Sequence, residues 1–265
     1  MTIADGLALT ANTKLEQRLL LGLSEDIPWS QYINYIPNWL VNHLFQNNEQ
    51  GVWYDPSDLS TLFQDAAMTV PVTANGDPVG AMMDLSGNGN HATQTVSASR
   101  PTYKGLSYDG TDDALNTVIN FPLGDFTISI AVDTALLNGR MAVLGNNDSS
   151  AISAIFLEAN SIDDSVLFYF GDLGIAVPSI QNTGIRVLTI TKLENTYSIY
   201  VDDVLGESKT VEKSLTLSLT KIGNWLNTRR FKGKIGGVVI LNRAVTEIER
   251  TQLVDYLANS LEGSL

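Results

Sequence analysis

The segment IRVLTITKLENTYSIYVDDVL, residues 185–205, decides the fold class of this chain. In its second half, Tyr197, Ile199 and Val201 are separated by single residues. This period of two places every second side chain on the same face of a β-strand. An apolar run precedes the alternation, and a pair of aspartates, which favour turns, follows it. The segment therefore predicts consecutive β-strands that end in a tight turn.

Further strands of this kind recur through the second half of the chain. They are short, apolar or alternating, and bounded by turn residues: 126–132, 141–144, 152–157, 166–170, 215–219 and 236–241. Short strands at this spacing predict an all-β sandwich, and no stretch has the strand–helix–strand pattern of a parallel sheet. A short C-terminal helix is also predicted, because Thr246 can cap it and Glu247 and Glu249 favour its first turn.

The first 50 residues form a separate segment, which we predict to be a helical N-terminal arm, followed by a sandwich domain over residues 51–265. Thr13 and Glu16 have the spacing of a capping box at the start of a helix. Two interpretations stay open: the arm docks on a partner protein or on symmetry mates, or its helices pack on their own domain. The apolar residues predicted to dock are Leu15, Leu19, Trp29, Ile33, Ile36, Leu40 and Leu44.

The composition argues against several classes of protein. The chain has no cysteine, which excludes disulfides and thiolate metal sites, and its two histidines argue against a histidine-rich zinc centre. A net charge of −13 predicts no binding to nucleic acid. The excess lies at 51–172, with 15 acidic and 3 basic residues. We expect no membrane insertion and no signal peptide, since the chain has neither a run of about 18 apolar residues nor a basic, apolar leader.

Four segments resemble the laminin G-like/concanavalin A-like family of jelly rolls. They are RPTYKGLSYDGTDDAL at 100–115, FTISIAV at 126–132, the segment at 185–205 quoted above, and TKIGNW followed by RRFKGKIGGVVILNRAVTEIERTQLVDYL at 220–257. The resemblance covers about residues 51–260. It implies a jelly-roll β-sandwich, and members of this family often bind calcium at the tips of loops.

A second resemblance is to a segment found in structural proteins of tailed bacteriophages, where it introduces such a jelly roll. It is carried by GVWYDPSDLSTLFQD at 51–65, DLSGNGNHATQ at 84–94 and RPTY at 100–103. The resemblance implies a virion component, such as a tail fibre, a tail-tip protein, a collar protein or a head decoration protein. Residues 1–50 are not similar to this segment and are candidates for the part that fits one particular particle.

The chain lacks the residue patterns of two kinds of hydrolase. Some jelly rolls are glucanases with acidic residues alternating on one strand, which places the carboxylates on one face as glycoside hydrolysis requires. The acidic pairs Asp163-Asp164 and Asp202-Asp203 are adjacent, so their side chains point to opposite faces of any strand. A G-x-S-x-G nucleophile elbow is also missing. The sequence therefore predicts a non-enzymatic protein with no catalytic residues.

One acidic cluster is a candidate calcium site. Asp109, Asp112 and Asp113 lie close together in a glycine-containing turn, and calcium takes several oxygen ligands from carboxylates and carbonyls. The alternative is that aspartate is a residue that turns prefer for its own hydrogen bonds. We expect no other cofactor.

Trp225, flanked by Asn224 and Asn227, is the candidate ligand-binding site, because an aromatic platform with amide groups nearby suits a sugar. The alternative is an ordinary surface tryptophan. A basic cluster surrounds it: Lys221, Arg229, Arg230, Lys232 and Lys234. That cluster could meet an acidic polysaccharide, an acidic neighbouring subunit or a second copy of the chain, or it could be a solvated strand edge. His91 is expected to be structural.

Together these observations suggest a phage structural protein that docks on other virion proteins through residues 1–50. Its lectin-like domain would contact a host-surface polysaccharide, with weak contacts strengthened by repetition on the particle. A homo-oligomer is expected, assembled in the host cytoplasm and located in the virion. The alternatives are a free carbohydrate-binding lectin module and a decoration protein with no ligand.

Overall fold

The computed structural model describes residues 40, 42–121, 124–133, 135, 139–146, 153–159, 165–171, 173–178, 184–212 and 217–262. The chain divides after His43 into two units, residues 1–43 and 44–265. Five of the predicted docking residues lie outside the described residues: Leu15, Leu19, Trp29, Ile33 and Ile36. The other two, Leu40 and Leu44, are buried.

Residues 44–265 contain an antiparallel sheet of seven strands, here called the front sheet. Its path runs β1 (Gly51–Tyr54), β18 (Lys232–Leu241), β7 (Phe126–Asp133), β12 (Ile185–Leu193), β13 (Thr196–Val201) and β14 (Val204–Thr210), and β5 (Ser107–Asp109) also pairs with β18. The segment that decided the fold class forms the β12–β13 hairpin and the turn that follows it.

A nine-stranded antiparallel sheet, the back sheet, packs against the front sheet. Its order is β11 (Leu173–Pro178), β10 (Ser165–Phe170), β9 (Ser153–Ala159), β8 (Gly139–Gly145), β15 (Leu217–Ile222), β6 (Leu115–Phe121), β4 (Ala92–Thr93), β3 (Ala81–Met82) and β2 (Leu62–Phe63). A small hairpin of β16 (Asn224–Trp225) and β17 (Arg229–Arg230) follows β15. Two 3₁₀ turns, Leu59–Thr61 and Ser97–Ser99, and a C-terminal helix, Glu247–Glu262, complete the described elements. The prediction of an all-β sandwich with a C-terminal helix is confirmed.

The core between the sheets is centred on aromatic side chains from both. Phe126 and Tyr197 of the front sheet meet Phe168 and Phe170 of the back sheet, with ring centroids 5.9–6.5 Å apart. All four are almost completely buried. Because large rings bury much apolar surface and gain further from tilted and stacked contacts, this cluster is a major stabilising contact between the sheets.

The C-terminal helix packs on the other face of the front sheet, which explains why β7 is buried along nearly its whole length. Two adjacent glycines of β18, Gly236 and Gly237, let the helix approach the sheet closely. A Cβ on Gly237 would lie 2.5 Å from Cδ2 of Leu257, and a Cβ on Gly236 would lie 3.0 Å from Cβ of Leu261. On the same face, the hydroxyls of Ser129 and Thr189 are hydrogen-bonded at 2.8 Å.

The start of this helix is tied to the beginning of the sandwich. The Thr246 backbone N–H donates to Glu249 at 2.8 Å, and the Glu249 backbone N–H donates to the Thr246 hydroxyl at 3.3 Å, which is a capping box. Arg243 donates to Glu249 at 2.7 Å and lies 3.4 Å from Glu49. Residues just before β1 therefore contact the body of the sandwich.

Within residues 51–103, a network of hydrogen bonds is centred on Asp84, and we call it the Asp84 network. One carboxylate oxygen accepts the backbone N–H groups of Trp53 and Ser86, both at 2.9 Å, and the other accepts that of Asn90 at 3.0 Å. The backbone N–H of Asp84 donates in turn to Nδ1 of His91 at 3.0 Å. His91 is thus engaged in the fold, as the sequence analysis expects.

The other polar residues of the same segment also bond within the protein. The side-chain amides of Asn88 and Asn90 donate to the Gly51 carbonyl at 3.3 and 3.0 Å. Asp55 accepts the Ser57 backbone N–H at 2.9 Å and the Tyr256 hydroxyl of the C-terminal helix. These bonds hold β1 and its flanking loops in register, so this segment serves the fold.

We expect the Asp84→Ala substitution to lower the free energy of unfolding by about 3 kcal/mol, because it leaves buried backbone donors without acceptors. The measurement is urea unfolding followed by tryptophan fluorescence. Asp65→Ala is the matched control: Asp65 also accepts bonds from two backbone N–H groups and one hydroxyl, but in an exposed loop. The free energy of unfolding should fall clearly less in Asp65→Ala than in Asp84→Ala. Equal decreases in the two variants would contradict the stabilising role of the Asp84 network.

Candidate functional site

Three aromatic rings cluster on the outer face of the back sheet, and we call them the aromatic face. Phe156 contacts Tyr169 and Trp225, with ring centroids 5.8 and 5.5 Å apart and planes at 71° and 87°. Such edge-to-face packing fixes the rings relative to one another. Phe156 is 3% exposed, whereas Tyr169 and Trp225 remain partly exposed. The two outer rings therefore form the surface of this cluster.

Strand alternation and two glycines place these rings. The neighbours of Phe156 in β9 and of Tyr169 in β10 belong to the core between the sheets, so these two side chains point the opposite way. A Cβ on Gly174 would lie 3.3 Å from the Tyr169 ring, and a Cβ on Gly145 would lie 2.9 Å from Cβ of Trp225. The glycines thus let both aromatic residues approach the sheet closely.

An ion pair borders the aromatic face. Arg140 and Glu158 are directly opposite each other on β8 and β9, and their side chains meet at 2.7 Å. The Arg140 guanidinium also lies 5.9 Å from the centroids of both Phe156 and Tyr169, within range of a cation–π contact. The hydrogen bond that Arg140 donates to Glu158 raises the pKa of Arg140, against the opposing effect of burial. This edge of the face is fixed and carries paired charges.

The β16–β17 hairpin forms the opposite edge and contains the predicted ligand-binding residues. Trp225 donates from Nε1 to Asn146 at 3.2 Å. Asn224 is 2% exposed, and its amide donates to Oδ1 of Asn227 at 3.4 Å, while Lys221 donates to the same oxygen at 3.0 Å. The hairpin therefore brings the three predicted residues together, with Trp225 partly exposed, Asn227 exposed and Asn224 supporting them from below.

The predicted calcium residues also meet in space. One carboxylate oxygen from each of Asp109, Asp112 and Asp113 lies within 4.8 Å of the others. Each also accepts a hydrogen bond within the fold: Asp109 from the Thr111 backbone N–H at 2.6 Å, Asp112 from the Ser99 hydroxyl at 2.7 Å, and Asp113 from the Asp109 backbone N–H at 2.8 Å. Such oxygens suit a hard divalent cation, although these hydrogen bonds also fit the turn-forming alternative.

Asp113 is the most buried member of this cluster. Burial and, to a smaller extent, the nearby charges of Asp109 and Asp112 raise the pKa of its carboxyl group to about 6, against the lowering effect of the Asp109 backbone N–H. A bound cation would oppose this rise because it favours the ionised carboxylate. The cluster is therefore a place where ion binding and pH would be coupled.

The aspartate pair after β13 belongs to the fold. Asp202 accepts the Val187 backbone N–H at 2.8 Å. Asp203 accepts Nε of Arg250 at 2.5 Å and the Thr251 hydroxyl at 2.6 Å, which attaches this turn to the C-terminal helix. Both carboxylates are thus engaged in structural contacts.

Sequence reasoning missed four residues of the aromatic face: Phe156, Tyr169, Arg140 and Glu158. The signal for the rings was present, because both lie at alternate positions within apolar runs. Those runs looked uniformly buried, however, and only the strand register shows that the rings share one surface with Trp225. The ion pair depends on the same register.

Comparisons with known proteins support the fold. No protein-family model and no curated protein sequence matches the chain. A crystal structure of an arabinofuranosidase complexed with arabinofuranosyl-α-1,2-xylobiose matches with a TM-score of 0.56 at 9% identity, over 69% of this chain and 51% of that one. An α-L-arabinofuranosidase soaked with a cyclic sulfate inhibitor matches with a TM-score of 0.62 at 10% identity, over 83% and 65%. This chain spans about half to two thirds of their length.

These matches correct one prediction. The sequence analysis predicts a non-enzymatic protein, and this is contradicted, because solved structures that share the fold include those of arabinofuranosidases. The argument from strand-alternating carboxylates tested one arrangement of catalytic acids, whereas carboxylates on different strands can meet across a sheet. At 9–10% identity the likeness shows the fold alone and assigns no activity.

No helix within the described ranges is long and apolar enough to span a membrane.

The raised pKa of Asp113 predicts a pH-dependent stability. Well below about pH 4 the Asp113 carboxyl group is protonated in both the folded and the unfolded chain. Between about pH 4 and 6 it ionises in the unfolded chain but stays largely protonated in the folded chain, so the free energy of unfolding falls as the pH rises. Above about pH 6 it ionises in both, and the free energy of unfolding levels off. We expect Asp113→Asn to remove this fall, because an amide oxygen can still accept the Asp109 backbone N–H. The measurement is the urea midpoint at about pH 4 and about pH 7.5.

The control for this pH experiment is Asp112→Asn, which removes a neighbouring charge and leaves the Asp113 carboxyl in place. It should retain most of the fall in stability. The same pH dependence in the Asp113→Asn variant and the unmodified protein would contradict the assignment to Asp113.

Proposed function

We propose that this chain is a carbohydrate-binding β-sandwich protein of a tailed-bacteriophage particle. In this proposal the aromatic face contacts a glycan of the host surface. The observation that carries it is the arrangement of Tyr169 and Trp225, two partly exposed rings fixed on one rigid sheet by Phe156 between them. Aromatic rings held by a packed scaffold bind apolar sugar faces with little loss of side-chain entropy.

Two further observations support the binding role. The Arg140–Glu158 pair and the Asn227 amide place hydrogen-bonding groups at both edges of the rings, as sugar hydroxyls require. The matching solved structures include one complexed with an arabinofuranosyl xylobiose, so this fold is compatible with carbohydrate ligands in that protein. The phage assignment is supported by the resemblance of residues 51–103.

The proposal includes attachment through the N-terminal segment. Residues 1–43 would dock on other virion proteins or on further copies of this chain, giving a homo-oligomer on the particle. Residues 44–50 contact the sandwich through Glu49 and Arg243 and through the bond from Asn88 to the Glu49 carbonyl at 3.0 Å. A truncation that tests docking should therefore begin at Leu44.

Calcium binding at Asp109, Asp112 and Asp113 is a further part of the proposal. The proximity of their oxygens supports it. Titration with CaCl₂ at about pH 7.5 should then raise the urea midpoint of the unmodified protein and leave that of Asp113→Asn unchanged, since binding to the folded state alone stabilises it. An equal response of both proteins would contradict the site.

The binding proposal is tested on an array of bacterial surface polysaccharides and neutral plant glycans. We expect the full chain to bind at least one glycan, and Trp225→Ala to weaken that binding by at least about tenfold, as removal of a central aromatic contact does. Trp225→Phe should retain part of the affinity because it keeps a ring.

Tyr200→Ala is the matched control, because Tyr200 is a partly exposed ring on the front sheet, stacked at 4.0 Å under Arg250. It should bind like the unmodified protein. If all three variants bind alike, the aromatic face is not the binding site. If no glycan binds, the carbohydrate-binding proposal fails.

Because the fold is shared with arabinofuranosidases, release of reducing sugar is measured in the same mixtures. Glu158 supplies a carboxylate beside the rings, so Glu158→Gln shows whether any hydrolysis depends on this face.

The docking proposal predicts different assembly for two forms of the protein. Light scattering should show an oligomer for the full chain and a folded monomer for a chain that begins at Leu44. A monomer in both cases, with unfolding or aggregation of the shorter chain, would contradict docking and favour a free lectin whose N-terminal residues belong to its own domain.

A further inference from the structure

The β16–β17 hairpin places Arg229 on the same side as Trp225, and Arg230 on the other side of the hairpin. Arg229 is directly opposite Trp225 in the antiparallel pairing, and Arg230 is directly opposite Asn224. Side chains at directly opposite positions project from the same face, with their Cβ atoms about 5 Å apart. Both arginines are exposed. A ligand that rests on Trp225 is therefore within reach of the Arg229 guanidinium.

Lys221 adds a third positive charge at the base of this hairpin. Its ammonium donates to Asn227 at 3.0 Å, and burial lowers its pKa. Within the described parts of the chain, no carboxylate lies within salt-bridge distance of Lys221, Arg229 or Arg230. We call these three residues the hairpin cations.

The surroundings make this charge unusual. The whole chain carries a net charge of −13, and other basic residues, such as Arg140 and Arg243, are paired with glutamates. Protection of a strand edge does not explain the hairpin cations, because β17 is only two residues long. Lys232 and Lys234 differ from the hairpin cations because they lie in β18 at positions paired with β5. There Lys232 is directly opposite Asp109.

We propose that the glycan bound at the aromatic face is an anionic polysaccharide. A sugar ring lies on Trp225, and its carboxylate or sulfate group binds Arg229, which is on the same face of the hairpin. Guanidinium groups suit this task because they donate two parallel hydrogen bonds to a planar or tetrahedral oxyanion. This inference rests on the proposed carbohydrate-binding function and names the ligand class of the same site.

The test uses the full chain and two pairs of polymers that share a backbone and differ in charge. They are polygalacturonate with its methyl ester, and dextran sulfate with dextran. Isothermal titration calorimetry should give at least about tenfold tighter binding to the charged member of one pair, and this preference should shrink as salt is raised.

Variants locate the charge contact. We expect Arg229→Gln to weaken binding to the charged polymer by about fivefold, and Trp225→Ala to weaken it further. Arg230→Gln should have a clearly smaller effect, because Arg230 projects from the other face of the hairpin. Lys209→Gln removes one positive charge from an exposed position on β14, at the edge of the front sheet. This control should bind like the unmodified protein.

Each other outcome overturns the inference in a distinguishable way. Equal binding to the charged and neutral polymers, with unaltered affinity in the arginine variants, would leave carbohydrate binding in place and remove the anionic ligand. Equal weakening by Lys209→Gln would show diffuse charge attraction. Glycans bound on the array but none of the four polymers would overturn the ligand class alone, whereas no binding in either experiment would also remove the proposed function.

Discussion

The rest of the structure depends on the burial of both faces of the front sheet. One face supplies the large apolar side chains of the core, and the other lies under the C-terminal helix, where Trp53 packs against Tyr256 and the glycines of β18 let the helix approach closely. This is why β7 alternates Ile128 and Ile130 with Thr127 and Ser129 although all four are buried. A larger residue at Gly237 would meet Leu257 and push the helix away. With the helix covering the front sheet, the outer face of the back sheet is where exposed aromatic side chains can be carried on rigid strands.

The aromatic face follows from that division of roles. The strands β8, β9 and β10 are paired with neighbouring strands on both sides, so side chains on them have fixed directions. Phe156 supports Tyr169 and Trp225, and Arg140 with Glu158 closes one edge. At the other edge the hairpin cations carry charge that the described carboxylates do not neutralise. A site with paired charges at one end and unpaired charges at the other orients a ligand as well as holding it.

The sequence predicted the parts of the fold that depend on local pattern. The alternation around Tyr197 and the capping residues Thr246 and Glu249 each act within a few positions, so the hairpin and the C-terminal helix could be predicted. The distances between sheets and the register of β9 and β10 depend on distant residues. Phe156 and Tyr169 were therefore missed, whereas Trp225 was found because asparagines surround it in the sequence. The prediction of a non-enzyme is contradicted by the fold shared with arabinofuranosidases, and it rested on the absence of one strand pattern, which excludes one arrangement of catalytic acids and no other.

The Asp84 network affects how the sandwich would respond to mechanical force on β1. Residues 44–50 lead directly into β1, which is joined to β18 by an antiparallel ladder from Gly51 to Tyr54. A pull applied through the N-terminal segment would act first on the contacts of Glu49 with Arg243 and Asn88, and then on this short ladder. The hydrogen bonds from Asn88 and Asn90 to the Gly51 carbonyl, and the one from the Trp53 backbone N–H to Asp84, oppose separation of β1 from β18. The polar segment that follows β1 would therefore keep the edge of the front sheet intact if force were applied through the N-terminal segment.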